Sequence, residues 1–409
     1  MNKYWQRSAV FLIVIIVIVA CTPIFGPEES QSSSNQVATA AAMTLQALSP
    51  ATSAASADGQ AAPANLLPHS LHFLGNDNQS ISQIYRLERD GKTKTQLTFE
   101  PVKIWDYDVS TADGSLAFET NGQLILVDAD GSNRRVVAQV SAPDPEAGGF
   151  FHPAFSPDGK MLAYANSGLN FYNLATGGSS LVITDQLQDS GSGQMLPVET
   201  YAPVRYSPDG TKLLVALGHW EVAPSDAVYY PGSNTLVRHE AVTDYIVCCS
   251  FHGGPSWTPD SSSFYGVASV HDSSYQYGQL WRVDATTGAI TRLLTSGNEL
   301  PKDPYLAPDG QLYFFYGSYN LDSGFFDAPM LQLVRASPNG VTGRAVLRDE
   351  NFVLMNEALW APDASFVVVA TAPYRTWSQA GGVLELYSTN GQKGPIWLAS
   401  FGKEMKWGL

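Results

Sequence analysis

Basic side chains are scarce in this chain: 23 Lys and Arg stand against 38 Asp and Glu over 409 residues, a formal charge of −15. Nucleic acid is held through clustered Lys and Arg that neutralise phosphates, so this deficit argues against nucleic acid as a partner. Charge of either sign is thin, at 15% of residues against roughly 25% in ordinary soluble domains. Long helices with a charged outer face are therefore few. Cysteine is limited to Cys21, Cys248 and Cys249, too little for a disulfide framework. Neighbours on a strand point to opposite faces with Cα atoms ~3.8 Å apart, so Cys248 and Cys249 are expected as two thiols, a strained vicinal disulfide being the alternative. Catalytic signatures are missing as well. No G-x-S-x-G elbow occurs, and Asp189-Ser190-Gly191-Ser192-Gly193 lacks the Lys that would follow in a phosphate cradle. No cofactor is implied, and catalysis is the less favoured expectation.

What the chain does have is apolar residues (44%) and turn formers, 35 Gly and 25 Pro. That is core enough for a large, turn-rich globular domain. At the N-terminus Lys3 and Arg7 precede twelve apolar or small residues, Ala9 to Ala20. As a helix these rise only ~18 Å, short of a ~30 Å hydrocarbon core, so a cleaved secretory signal is expected over residues 1–20. The run ends Ile18-Val19-Ala20-Cys21. It resembles a bacterial lipobox, which implies that Cys21 is lipidated and anchors the protein extracytoplasmically to a membrane. Residues 21–66 are poor in large apolar groups and, beyond Cys21, contain no Lys or Arg, the composition of a flexible tether.

Residues 67–409 repeat. FSPDGKMLAYA from Phe155, YSPDGTKLLVA from Tyr206, WTPDSSSFYGVA from Trp257, LAPDGQLYFFYG from Leu306 and WAPDASFVVVA from Trp360 share one design, and STADGSLAFET from Ser110 is a degenerate copy. The turn aspartates are spaced 45 to 54 residues apart. Pro presets φ in all but the degenerate copy, Asp, followed by Gly in four of the six, reverses the chain, and a strand of β-formers follows. A second series of turns interleaves at Asp90-Gly91, Asp130-Gly131, Thr176-Gly177, Pro231-Gly232, Thr287-Gly288, Asn339-Gly340 and Asn390-Gly391. Two hairpins per repeat make a four-stranded blade, so an all-β propeller is expected, with seven blades favoured and six or eight as alternatives. Seven turns of one series against six of the other are reconciled if Lys403–Leu409 returns to complete the blade that begins at Leu71. The [FYW]-[ST]-P-D-G hairpin resembles the repeats of TolB-like β-propellers over residues 68–409. That resemblance implies a scaffold working in the cell envelope through protein contacts.

In such a fold the Pro-Asp-Gly turns and the second turn series share one face, and the long connections fall on the other. The long segments carry many aromatics, and Trp220, Tyr275, Tyr277, Tyr319, Phe325, Tyr374 and Trp377 are the expected recognition surface for an envelope protein or glycan. The competing expectation is that the rings cap the blades. His152, His252, Asp303 and Glu357 fall near the starts of inner strands, at the mouth of a central channel. A polar lining is expected there, with a metal or polar ligand as the alternative. A non-catalytic binding role is favoured over an envelope glycan hydrolase or lyase that uses these His and carboxylates.

The anchor makes a direct prediction. Cys21→Ala should abolish fatty-acid labelling and release the protein from membranes, read by fractionation after metabolic labelling; equal label on variant and wild type would refute it.

Overall fold

The computed structural model describes residues 65–141, 148–219, 225–239, 246–248, 255–272, 275–294, 299–318, 330–372, 380–391 and 393–409, with backbone alone given at 246–248 and 268–278. Every regular element among them is a β-strand, and every strand pairing is antiparallel. The turns work as their residues dictate. The carboxylates of Asp113, Asp158, Asp209, Asp260, Asp309 and Asp363 each accept the backbone N–H two residues on, at 2.8–3.1 Å. This is the Asx turn that favours Asp at that position. The residue after it is left-handed, as glycine in four copies but as Ser261 and Ala364 in the other two. In the second series Pro231-Gly232 departs from the expected pattern, because Asn234 and not the glycine takes the positive φ.

Five sheets of four or five strands follow one another along the chain, over residues 104–139, 154–184, 186–238, 246–292 and 299–346. A seven-stranded sheet combines the first three strands (Leu71–Asn76, Ser82–Leu87, Lys94–Gln96) with the last four (Met355–Trp360, Phe366–Thr371, Gly382–Ser388, Ile396–Trp407). The strand Ile396–Trp407 joins its two halves. Its first part pairs with Gly382–Ser388, and its second pairs Trp407 with Leu71, Lys406 with His72 and Lys403 with Leu74. Two of the expected long connections are strands instead. Leu187–Thr200 is mostly a hairpin of Gln186–Asp189 with Met195–Tyr206. Ser263–Asp272 pairs with Tyr275–Asp284 along its whole length, which sets Tyr275 and Tyr277 on a strand opposite Asp272 and Val270 rather than on a loop.

Alternation along the strands explains how the sheets hold together. Leu116 and Phe118 pack with Ile84 and Tyr107, whereas Ala117 between them packs with Phe151 and Leu162. Leu213 and Val215 face Phe171, and Leu214 faces Trp257 and Phe264. The same split places Phe314 against Tyr265 and Phe315 against Trp360. Both faces of these strands are buried, each against a different neighbouring sheet. The final split puts Val367 and Val369 against Phe315, while Val368 and Ala370 join Phe73, Leu87 and Met405 in a core shared by the end and the beginning of the chain. Each fully buried apolar side chain contributes about 1.5–3 kcal/mol, so these shared cores outweigh any single turn.

Removing residues 403–409 deletes the pairing with Leu71–Leu74, the buried Met405 and the Trp407 indole N–H bond to the Trp360 carbonyl at 2.7 Å. The melting temperature should fall by several degrees; an unchanged melting curve would show that the seam carries no stability.

Candidate functional site

Four of the strands that lead into the Pro-Asp turns carry an irregularity of register a few residues before the turn opens. Shifts occur around Ile104/Asp106, Pro203/Arg205, Lys302/Tyr305 and Met355/Glu357, and facing the final strand at His72/Leu74. His152, Asp303 and Glu404 there have φ of 45°, 49° and 52°. Bulges of this kind re-aim a side chain and accumulate beside functional sites. Counting back from the turns, the equivalent described positions in chain order are Asp106, His152, Pro203, Asp303, Glu357 and, on the final strand, Glu404; Gly254, at the same offset in the sequence, lies outside the described residues. Four of the six are acidic and a fifth is histidine.

These side chains meet across neighbouring leading strands. The His152 ring Nδ1 lies 3.2 Å from Asp106 Oδ2, with both groups partly exposed. The bond to Asp106 raises the His152 pKa despite burial. At Asp106 burial pushes upward, but the His152 bond and the Lys406 charge prevail and leave the carboxyl lowered. Glu119, fully buried, accepts the backbone N–H groups of Phe150 and Phe151 at 3.0 and 3.1 Å and so fixes the segment that presents His152. Glu357 accepts the N–H of Glu404 at 2.6 Å and that of Met405. Tyr107 donates its hydroxyl to the Glu404 carbonyl at 2.6 Å.

One step nearer the turns the charges are mixed. Lys406 lies 3.2 Å from Asp108 Oδ1 and also bonds the Tyr107 carbonyl, while Asp108 Oδ2 accepts from the Phe155 amide at 2.7 Å. Arg205 stands nearby, and desolvation by the surrounding protein lowers its pKa against the pull of Asp108 and Glu357.

Asp303 is the outlier. It is 3% exposed, and neither carboxyl oxygen has a hydrogen-bond partner. Burial raises its pKa to about 7, Lys302 opposing and Glu357 adding to the effect. Glu404 is raised by burial and by the Asp106 charge, and its Oε2 is buried without a partner. Three of the four expected channel-mouth residues, His152, Asp303 and Glu357, thus occupy equivalent positions; His252 lies outside the described residues. His152 bonds Asp106, not the other two. Asp106, Glu119, Glu404 and Lys406 were missed by sequence reasoning. The available signal was a charged residue inside an otherwise apolar strand, as in Leu116–Thr120. Of the expected aromatic surface, Trp220, Tyr319, Phe325, Tyr374 and Trp377 lie outside the described residues, as do Cys21 and Cys249. Among the described residues no group of three or more His, Cys, Asp or Glu converges to hold a metal ion.

No family model matches the chain, and no curated protein does. Solved structures do. An oligogalacturonate lyase from Vibrio parahaemolyticus is 12% identical over 81% of this chain and 85% of its own, with a TM-score of 0.50. A puromycin-hydrolyzing peptidase from Mycobacterium tuberculosis is 15% identical over 82% of this chain, TM-score 0.50, and the match spans only 53% of the peptidase. A putative TolB from Agrobacterium tumefaciens is 18% identical over 72% of this chain and 94% of its own, TM-score 0.41. At these identities the likeness shows the fold alone: all-β and propeller-like.

A carboxyl held above its unfolded pKa destabilises the fold once it ionises. For Asp303 that cost is absent below about 4, grows as pH rises and is complete above about 7. Asp303→Asn should therefore raise the melting temperature at pH 8 and raise it progressively less toward pH 5. A gain independent of pH, or a loss at pH 8, would contradict this assignment.

Proposed function

We propose that the chain is a lipid-anchored, extracytoplasmic β-propeller of seven blades, closed through the strand Ile396–Trp407, that binds an envelope protein or glycan without catalysis. The observation that carries this reading is an asymmetry between the two ends of the sheets. At one end the chain is trimmed to tight turns capped by their own Asp and Asn side chains. The leading strands start at the other end, where the longer connections enter and where the row from Asp106 to Glu404 stands. Long connections on a rigid scaffold are the usual seat of recognition. The internal pairing of the polar groups favours binding over chemistry, since Glu357 is occupied by backbone amides and Asp108 by Lys406 and Phe155.

An envelope glycan hydrolase or lyase is the second reading. It is favoured by the partly exposed His152–Asp106 pair, whose raised imidazole pKa suits an acid–base role. It draws only a fold-level analogy from the lyase that acts on oligogalacturonate.

The recognition surface is proposed to include the aromatic connections with Trp220, Tyr319 and Trp377. Trp220→Ala and Trp377→Ala should leave the melting temperature within about a degree and weaken capture of envelope proteins or glycans severalfold or more, measured by pull-down of the intact lipoprotein from its native membrane. Large destabilisation with unchanged capture would assign these rings to the core. Turnover of a glycan by the wild type, lost in His152→Ala, would favour the enzymatic reading.

A further inference from the structure

In the cyclic order set by the shared cores, the acidic positions of the row are consecutive. Asp303 stands before the seam, Glu357 on the last sheet's leading strand, Glu404 on the strand that crosses the seam, and Asp106 just after it; His152 follows Asp106. An arc of four carboxylates thus spans the place where the chain meets its own beginning.

Acidic clusters are common and usually solvated, but this one has two features that solvation does not explain. The Asp303 carboxyl is closed off from water, lacks any donor and lies close enough to Glu357 to be opposed by its charge. Glu404 Oε2 is likewise without a donor, and Glu404 is opposed by Asp106 and Glu357. Nearby cations do not fill these vacancies. The Lys302 ammonium is spent on the Met355 carbonyl at 2.7 Å, and that of Lys406 on Asp108 and the Tyr107 carbonyl. Lys403 reaches only Glu404 Oε1, at 3.8 Å. Arg205 stands one step away, where it bonds the Pro255 carbonyl at 3.5 Å. Buried acceptors left unpaired cost free energy, and a cationic donor between them would recover it.

Building on the binding reading above, we propose that this arc is a site for an organic cation, a primary ammonium or guanidinium group presented by a basic side chain of a partner or by a free polyamine. A metal ion fits less well, because it needs several ligands converging on one point and the described carboxylates do not converge. A nitrogen cation carries several N–H donors separated in space and can bridge carboxylates on adjacent strands. The acidic chain as a whole draws such ligands inward.

Calorimetry on the intact protein tests this with three probes at pH 8 and low salt: spermidine, the blocked peptide acetyl-Ala-Lys-Lys-Ala-amide, and magnesium chloride. Spermidine, the peptide or both should bind, and Asp303→Asn and Glu404→Gln should each weaken that binding tenfold or more while retaining a cooperative melt. Binding preferred for the peptide identifies a partner's side chain as the source, and binding preferred for spermidine a free amine. At pH 5.5 affinity should fall, and near pH 7 binding should release protons, seen as a heat that depends on buffer ionisation enthalpy, because the carboxyls exchange a proton for the ligand. Failure of both amines to bind folded wild type, binding indifferent to both variants, or binding of magnesium alone would overturn the proposal. If an envelope partner is captured equally by Asp303→Asn and Glu404→Gln, the binding function stands and the cation site falls. If amines bind but no partner is captured, the cation site stands and the envelope role falls.

Discussion

The structure depends on strands that are buried on both faces. A strand such as Leu312–Ser318 gives its odd and even residues to different neighbours, so each sheet is one wall of two cores. No sheet can bury its apolar surface alone, and removing one exposes a face on each of its two neighbours. This coupling requires the first and last sheets to find partners too. The strand Ile396–Trp407 meets the requirement by hydrogen-bonding to both, and the core around Phe73, Val368 and Met405 covers the remaining faces.

Much of this was legible in the sequence because hairpin chemistry is local. Pro, Asp and Gly at fixed offsets specify a turn whatever surrounds it, and their recurrence located these turns in the sequence. The return of Lys403–Trp407 to Leu71–Leu74 was legible from an imbalance in those turns. The extent of the strands was not. Tyr275 and Tyr277 stand in a polar, serine-rich stretch that reads as a loop, yet cross-strand pairing with Val270 and Asp272 carries the hairpin through it. Pairing is a property of two segments together, and neither declares it alone.

The polar row shows a different limit. His152, Asp303 and Glu357 were recognisable because each precedes a turn at a similar distance. Glu404 precedes no turn, since the final strand ends where others reverse, and Asp106 precedes a degenerate one. A bulge also hides the relation, because one extra residue breaks the alternation from which a strand's facing is read. The left-handed backbone that His152 and Asp303 share with Glu404 was not legible in the sequence, and it marks the three as counterparts.

The capped turns have a further consequence for how the molecule stands in an electric field. The aspartates that accept their own turn amides are held below the ordinary carboxylate range, among them Asp90, Asp130, Asp158, Asp260 and Asp363, where hydrogen bonds outweigh the small effect of burial. They stay ionised further into acid, while at the opposite end Asp303 and Glu404 take up protons near neutrality and Glu357 is raised, Asp106 alone of the row being lowered. As pH falls, negative charge drains from one end of the sheets and remains on the other, so the molecule acquires a growing dipole along its strands.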